Sequence, residues 1–305
     1  LSCYVEGLSS LEYFFASMES RQEMMDKKLG PAVTGYLTRK LVYCAYPVTI
    51  VCERCNDTKG LLVPIEPVQR LVGRVVAEKV NDILEAGQVI ERKHIEDLKQ
   101  LSKTVSHIRI FSPLTCTAEG GICQRCYGWD LSQPDGTFPE IGLLVGVIAA
   151  QSIGERGTQE MMRTFHGGVA RGIVGAVLKA KEVFDKGRDF SALSLDEAAE
   201  ELIKQFREAY KNSVDDRHFE VILRQMKQDS ERGIIFRSLL KVARSRKYKG
   251  EPEHSFLAAA LFDSSFSVLK DAALEKLADT LWFPAAKIIL GFRLQGRCSN
   301  GGDRK

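Results

Sequence analysis

The first long periodic stretch runs from about Ser9 to Lys28, where Leu11, Phe14, Phe15, Met18 and Met25 recur at near-helical spacing. Ser9 or Ser10 is placed to cap it. Gly30-Pro31 interrupts the pattern, which resumes at Ala32 and runs through Tyr36, Leu37, Lys40, Leu41 and Cys44 to a stop near Pro47. A proline inside a helix removes one backbone hydrogen bond and crowds the preceding turn, at ~3 kcal/mol or more. The stretch therefore reads either as two helices joined by a turn or as one long helix kinked at Pro31.

From Val48 to Pro113 the texture changes to short β-like runs. One holds Val75, Val76 and Val80; in another, Ile108 and Ile110 alternate with His107 and Arg109. A short helix from Lys93 to Leu101 separates them. Pro139-Glu140 then has the form of a helix start, and Leu143, Leu144, Val147, Ile148 and Ile153 make that helix apolar nearly all round, which predicts burial. Gly154 and Gly157 follow, then a second helix-capable stretch to His166 and the pair Gly167-Gly168. Ser194 with Glu197 forms a capping box for a helix to about Tyr210, with Ala198, Leu202, Phe206 and Ala209 inward. Phe219, Ile222, Leu223 and Met226 mark the apolar face of the next helix. Arg244 to Glu253 reads as a charged loop, Ser255–Phe262 and Ser264–Leu277 as helices, and Arg297 to Lys305 as a frayed polar end.

Composition narrows the class. A chain of 305 residues, 44% hydrophobic and 27% charged, is globular and long enough for two or three units. The 43 basic and 40 acidic residues leave a net charge of +3, which permits a nucleic-acid partner without arguing for one. No apolar stretch reaches the ~18–20 residues that span a bilayer, and no signal peptide opens the chain. The reading is a cytosolic protein with no membrane partner. The chain starts at Leu1 rather than Met, so the expectation is a piece of something longer.

In a cytosolic chain eight cysteines point to metal more than to disulfides. Cys116-x6-Cys123-x2-Cys126, with Gly120-Gly121 between, supplies three thiolates on a tight knuckle, and tetrahedral Zn²⁺ needs a fourth. Cys52 and Cys55, another C-x2-C pair, both compete for that place; Cys3, Cys44 and Cys298 are isolated.

A second constellation lies in Gly154 to Gly168. Wound as a helix, Gln159, Met162, Arg163 and His166 fall at i, i+3, i+4 and i+7 on one face. An amide, a thioether, a guanidinium and an imidazole together suit a nucleoside triphosphate; a surface helix is the plainer reading. Glycines at both ends would act as hinges. Glu160, about 100° round the helix from Gln159, would turn to solvent.

These residues carry a resemblance. Ser112-Pro-Leu-Thr-Cys116, Gly-Gly-Ile-Cys123-Gln-Arg-Cys126-Tyr-Gly, Val145-Gly-Val-Ile-Ala-Ala-Gln-Ser-Ile-Gly154, Gly157-Thr-Gln159 and Met162-Arg-Thr-Phe-His166 resemble the β′ (largest) subunit of bacterial RNA polymerase. The stretch corresponds to β′ from the second zinc site into the trigger loop. Upstream, Gly35-Tyr-Leu-Thr-Arg39-Lys-Leu41 resembles the end of the bridge helix. Downstream, Arg217 to Met226 and Ser255 to Ala260 resemble C-terminal segments of β′.

The resemblance implies a mixed α/β, mainly helical β′ fragment. Its expected parts are a bridge-helix region (1–47), an α+β module with the zinc site (48–135), a trigger-loop region forming a helical hairpin (136–190) and a C-terminal helical region (191–305). It implies structural Zn²⁺ on Cys55, Cys116, Cys123 and Cys126, Cys55 being preferred to Cys52 for its distance to Thr58 and Gly60. Gln159 and Met162 would contact the nucleotide, with Arg163 and His166 as catalytic residues at its phosphates. The implied activity is that of DNA-directed RNA polymerase, nucleotidyl transfer from NTP to an RNA 3′ end. The implied partners are β, α, ω, the remainder of β′, template DNA and RNA, in the nucleoid-associated cytoplasm.

The departures are as plain. The aspartate-rich loop that holds the catalytic Mg²⁺ is absent, so Mg²⁺ would be required by the complex and not bound here, and the isolated chain would be inactive. Gly30-Pro31 stands in a bridge-helix middle where the family is rich in Gly, Ala and Thr. Glu160 replaces an apolar residue, and Phe184-Asp-Lys-Gly187 runs almost directly to the Ser194 helix where a jaw is expected. The alternative is a zinc-stabilised, catalytically silent scaffold or decayed copy; a standalone nucleic-acid-binding zinc protein is disfavoured by the weak net charge.

Overall fold

The computed structural model describes residues 3–292 apart from 82, 134–135, 167–170, 191, 231–232, 246–254, 263, 280 and 282. The chain is mixed α/β, with about half its residues in helices. Helix α1 (Ser10–Ala45) has 36 residues, which at 1.5 Å each is about 54 Å. Ser9 caps it: its Oγ accepts from the Glu12 N–H at 3.3 Å while Glu12 Oε2 accepts from the Ser9 N–H at 3.0 Å. The helix runs without a break through Gly30-Pro31, so the reading of two helices joined by a turn is corrected. Proline deletes a single donor, and the turns on either side keep theirs. Leu37, Leu41, Cys44 and Ala45 form the buried face of its second half, whereas Leu11, Phe14, Phe15 and Met18 in the first half are exposed.

Strand β1 (Thr49–Cys52) and β2 (Leu61–Pro64) follow, then α2 (Ile95–Leu101), β3 (His107–Ile110), β4 (Gly121–Cys123) and the one-turn α3 (Gln124–Tyr127). β1 pairs parallel with β4, Thr49 opposite Gly121 and Ile50 opposite Ile122. β2 pairs antiparallel with β3, Leu61 opposite Ile110. The expected run through Val75, Val76 and Val80 is corrected to isolated bridges, to Val89, Ile110 and Leu84 respectively. Its partner changes nearly every residue, because the Val76 N–H donates to Gln88 and the Ala77 N–H to Arg109.

The helix expected at Pro139 begins instead at Val145, where α4 (Val145–His166) starts. Residues 139–144 have other uses for their backbone: Gly142 N–H donates to Ile50 O, Leu143 O accepts from Ile50 N–H, and Pro139 O accepts from Gln124 Nε2. Burial on α4 falls on the small residues Gly146, Ala149 and Ala150, with Val145 and Ile153, while Val147 and Ile148 are half-buried. The helix passes through Gly154 and Gly157 uninterrupted, which corrects the hinge expected at that end; Gly167 and Gly168, the other end, lie outside the described residues.

Glycine at 146 and 154 serves close approach to α1. A Cβ on Gly146 would sit 1.9 Å from Ala45 O, and one on Gly154 would sit 2.3 Å from Thr38 Oγ1. Further along, Thr158 Oγ1 donates to Thr34 Oγ1 at 3.1 Å. The pairs 45/146, 38/154 and 34/158 run in opposite directions, so α1 and α4 lie antiparallel along a seam of small residues.

Next come α5 (Arg171–Lys186), β5 (Gly187–Phe190), α6 (Leu195–Ala209), α7 (Asp216–Met226), β6 (Lys227–Ser230) and β7 (Gly233–Arg237). The strands form an antiparallel sheet in the order β5-β7-β6, which the sequence pattern did not indicate. The Ser194–Glu197 capping box opens α6, and Ala198, Leu202, Phe206 and Ala209 are all buried. Phe184 stacks on Phe206 at 4.8 Å and Phe206 on Phe219 at 5.0 Å, joining α5, α6 and α7 in one core. Helices α8 (Leu239–Ser245), α9 (Phe256–Phe262), α10 (Ser265–Leu274) and α11 (Pro284–Ile289) complete the described chain. Arg244 and Ser245 thus end a helix; the rest of the expected loop, 246–253, and the tail 297–305 lie outside the described residues.

Candidate metal centre and the adjoining helix face

The β1–β4 pair brings two distant parts of the chain together. β1 leads through Cys52 to Cys55, and β4 ends at Cys123, which is itself the cap of α3: its Sγ accepts from the Cys126 N–H at 3.4 Å. Cys116 Sγ in turn accepts from the Cys123 N–H at 3.4 Å. Backbone donors aimed at sulfur favour thiolate, the form that binds metal. The tight return from Cys116 is made possible by Gly120, at φ +70°, and by Gly121, where a Cβ would lie 2.3 Å from Thr49 O.

The sulfurs of Cys55, Cys116, Cys123 and Cys126 all lie within 4.8 Å of one another. Cys55 and Cys126 are 3.5 Å apart, and Cys116 and Cys123 are 3.8 Å apart. A tetrahedron with ~2.3 Å Zn–S bonds has edges of about 3.8 Å, close to both of these separations, so four thiol donors at this spacing fit four-coordinate Zn²⁺. Cys52 lies outside this group, its Sγ directed at Arg54 O at 3.3 Å. Hydrogen bonds from Cys116, Cys123 and Cys126 push the Cys55 thiol down, whereas the contact with Cys116 pushes Cys126 up. Sulfurs this close share protons unless a cation replaces them.

Two arginines brace the knuckle. Arg125 Nη2 donates to Cys55 O and Asp57 O, both at 2.8 Å, with its guanidinium 3.9 Å from the Phe111 ring centre. Arg224, from α7, donates to Cys116 O at 3.2 Å, to Ala118 O at 2.7 Å and to Gly121 O.

Helix α7 was legible only on its apolar side. Its polar residues Asp216, Arg217, His218 and Glu220 are also buried. Glu220 takes Arg74 Nη1 and Nη2 at 3.0 and 2.7 Å and the Ser112 hydroxyl at 2.6 Å. Arg217 donates to Trp129 O at 2.8 Å and to Asp215 at 3.0 Å. The missed signal was Arg217, Glu220 and Arg224 at i, i+3 and i+7, a second helical face that reads as solvated by default.

On α4, Gln159 is half-buried and both ends of its amide are engaged within the helix. Its Oε1 accepts from Arg156 at 2.8 Å and its Nε2 donates to Glu155 at 3.0 Å. It borders a polar cleft of about 290 Å³ shared with Ser152, Arg156, Asp215 and His218. Burial would raise the Asp215 carboxyl, but Arg217 outweighs this and holds it well below the usual range. Burial pushes the His218 imidazole down to about 4. Glu160 does not turn to solvent: it is 2% exposed and ion-paired to Lys211 at 2.7 Å. Lys211 reaches it from the α6–α7 turn, whose φ values at Lys211 and Asn212 are positive. The side chains of Met162, Arg163 and His166 lie outside the described residues.

No helix among the described residues is long and apolar enough to cross a membrane. The model of the family RNA polymerase Rpb1, domain 5, matches residues 7–188, which hold α1, the four clustered cysteines and α4. Over 186 residues the chain is 42% identical to the DNA-directed RNA polymerase subunit beta' of Aquifex aeolicus (strain VF5), covering 56% of this chain and 12% of that one. Its similarity to the subunit beta' of Prochlorococcus marinus (strain MIT 9303) is 40% over 181 residues, 56% of this chain and 13% of that one. Against that of Synechococcus sp. (strain RCC307) it is 40% over 197 residues, 61% and 14%. The chain thus spans a small part of the length of these relatives. With more than half of its length matched, it belongs to the RNA polymerase Rpb1 domain 5 family.

Proposed function

We propose that this chain works as part of a DNA-directed RNA polymerase, with α1 as a bridge-type helix, α4 as the root of a trigger-type helix, and a structural zinc holding the module between them. The observation that carries the reading is the antiparallel seam 45/146, 38/154 and 34/158, which lays α4 along α1. From that root, Gln159, Met162, Arg163 and His166 recur on one helical face.

In this reading Gln159 and Met162 contact the nucleotide, and Arg163 and His166 act at its phosphates. Zn²⁺ on Cys55, Cys116, Cys123 and Cys126 supplies folding free energy and no chemistry. Phosphoryl transfer requires Mg²⁺ to neutralise developing charge, and the aspartates for it come from the remainder of β′. The isolated chain is therefore inactive. Its partners are β, α, ω, the remainder of β′, DNA, RNA and NTP.

The experiment is single-turnover RNA extension by a polymerase reconstituted with this chain. His166→Ala slows nucleotide addition by ~10²–10⁴-fold, as expected for a lost proton donor. Met162→Ala chiefly raises the NTP concentration required. The silent-scaffold reading is favoured by one observation: the Gln159 amide is already occupied by Arg156 and Glu155. Equal, small effects of the two substitutions would transfer the assignment to that reading.

A further inference from the structure

A second cleft, also of about 290 Å³, opens between β2 and α6. It shares no residue with the cysteine cluster. One wall is apolar, made by Leu61, Val63, Leu71 and Ile203. The other is a charge cluster, in which the guanidiniums of Arg70, Arg74 and Arg207 are set against the carboxylates of Asp216 and Glu220; Lys204 and Glu200 also line the cleft, so four cations face three anions.

The hydrogen bonds show where the excess lies. Glu220 is taken by Arg74 at 2.7 Å, a pair with 2% exposure on each side. Asp216 accepts from Arg207 Nε at 3.1 Å and Nη2 at 2.6 Å, and also from Arg70 Nη1. Arg70 Nη2 goes to Asn212 at 3.1 Å. Arg207 Nη1 makes no bond among the described residues. The buried Arg74 Nε has no acceptor among them either. At the mouth, Lys204 is exposed one helical turn from Arg207, on the same face of α6, while neighbouring Glu200 faces His107 at 3.4 Å.

Arg74, Glu220 and Asp216 are buried and Arg70 and Arg207 half-buried, so the one cation in excess is stabilised when an anion completes the cluster. Arg207 Nη1, unbonded among the described residues, and the Lys204 ammonium one helical turn away offer two charge-assisted donors to one anionic group, which the acceptor oxygens of a phosphate monoester suit. The apolar wall would be wasted on a bare ion, so the ligand has an apolar body. The volume, at the small end for ligand sites, limits that body to about one ring.

We propose that this cleft binds a small phosphate monoester carrying an apolar or aromatic group, its phosphate between Arg207 and Lys204 and its body against Leu61, Val63 and Ile203. Isothermal titration of the full chain with phenyl phosphate, inorganic phosphate and phenol tests this. Phenyl phosphate should bind at least about tenfold more tightly than either of the others, since each supplies half of the recognition. Lys204→Glu, at an exposed position with no bond to lose, should weaken phenyl phosphate about tenfold or more with an unchanged unfolding temperature. Arg207→Met should do the same, and measured thermal unfolding separates its loss of binding from loss of fold. Equal affinity for phenyl and inorganic phosphate, binding of phenol as tight as of phenyl phosphate, no measurable binding of phenyl phosphate, or an unaltered Lys204→Glu isotherm would each overturn the assignment.

Discussion

The imidazole of His218 sits at the start of α7 beside Asp215 and Arg217, with Arg156 and Glu155 across the cleft. Because burial lowers its pKa to about 4, the unfolded chain takes up a proton near pH 6.5 and the folded chain does not. A depressed folded pKa contributes stability that is whole above the unfolded value and is lost as pH falls toward the folded one. Stability should therefore drop by about 3 kcal/mol between pH 6.5 and 4, and His218→Asn should flatten that limb in urea titrations at stepped pH. Asp215, also depressed, loses its contribution only below about pH 4, so the two are separable. Among the sulfurs, Cys55→Ser should abolish stoichiometric zinc and Cys52→Ser should leave it, as metal analysis of the purified variants would show. Spacing alone made Cys116, Cys123 and Cys126 a group but left Cys52 and Cys55 level. The strand that carries Cys52 ends there, and three more residues of irregular backbone turn Cys55 in, a turn that has no sequence signature.

At the scale of elements, the α1–α4 seam makes its own prediction. Gly146→Ala would drive a methyl into the Ala45 carbonyl, 1.9 Å away, and should cost about 1–3 kcal/mol as the helices separate. Gly157→Ala meets only the Tyr210 ring at 3.5 Å, an ordinary contact, and should stabilise by up to about 1 kcal/mol through helix propensity. Thermal unfolding of the two variants should shift in opposite directions, and shifts of the same sign would mean the seam is not close-packed. Elements whose signals are local were readable in the chain: the Ser9–Glu12 and Ser194–Glu197 boxes mark where α1 and α6 begin. Residues 139–144 were misread because their backbone answers to Ile50, about ninety positions away. Strands β5, β6 and β7 were missed for the same reason, since four- and five-residue strands owe their existence to pairing that no local pattern encodes.

For the whole molecule, α7 joins parts that the sequence keeps far apart. It meets the knuckle through Arg224, Arg74 through Glu220, and the cleft beside Gln159 through Asp215 and His218. Glu220→Gln removes the charge opposite a fully buried guanidinium and should destabilise the chain by about 3–5 kcal/mol, measurable in urea. Residues 7–188, the matched segment, should not form a stable unit by themselves, because ending there exposes Phe184 and leaves Arg74 without Glu220. Cooperative unfolding of a 7–188 fragment would contradict this.

The reach of Arg224 has a consequence for synthesis. Cys116, Ala118 and Gly121 precede it by 108, 106 and 103 residues, and Arg74 precedes Glu220 by 146. At roughly 5–20 residues per second, the ribosome needs about 5–20 s to travel from the last cysteine to α7. Throughout that interval the knuckle can gather its cysteines, but the helix that clamps its carbonyls does not yet exist. Early zinc capture would protect the thiols from oxidation during the wait, so nascent chains starved of the metal should accumulate mispaired or oxidised cysteines before α7 ever arrives.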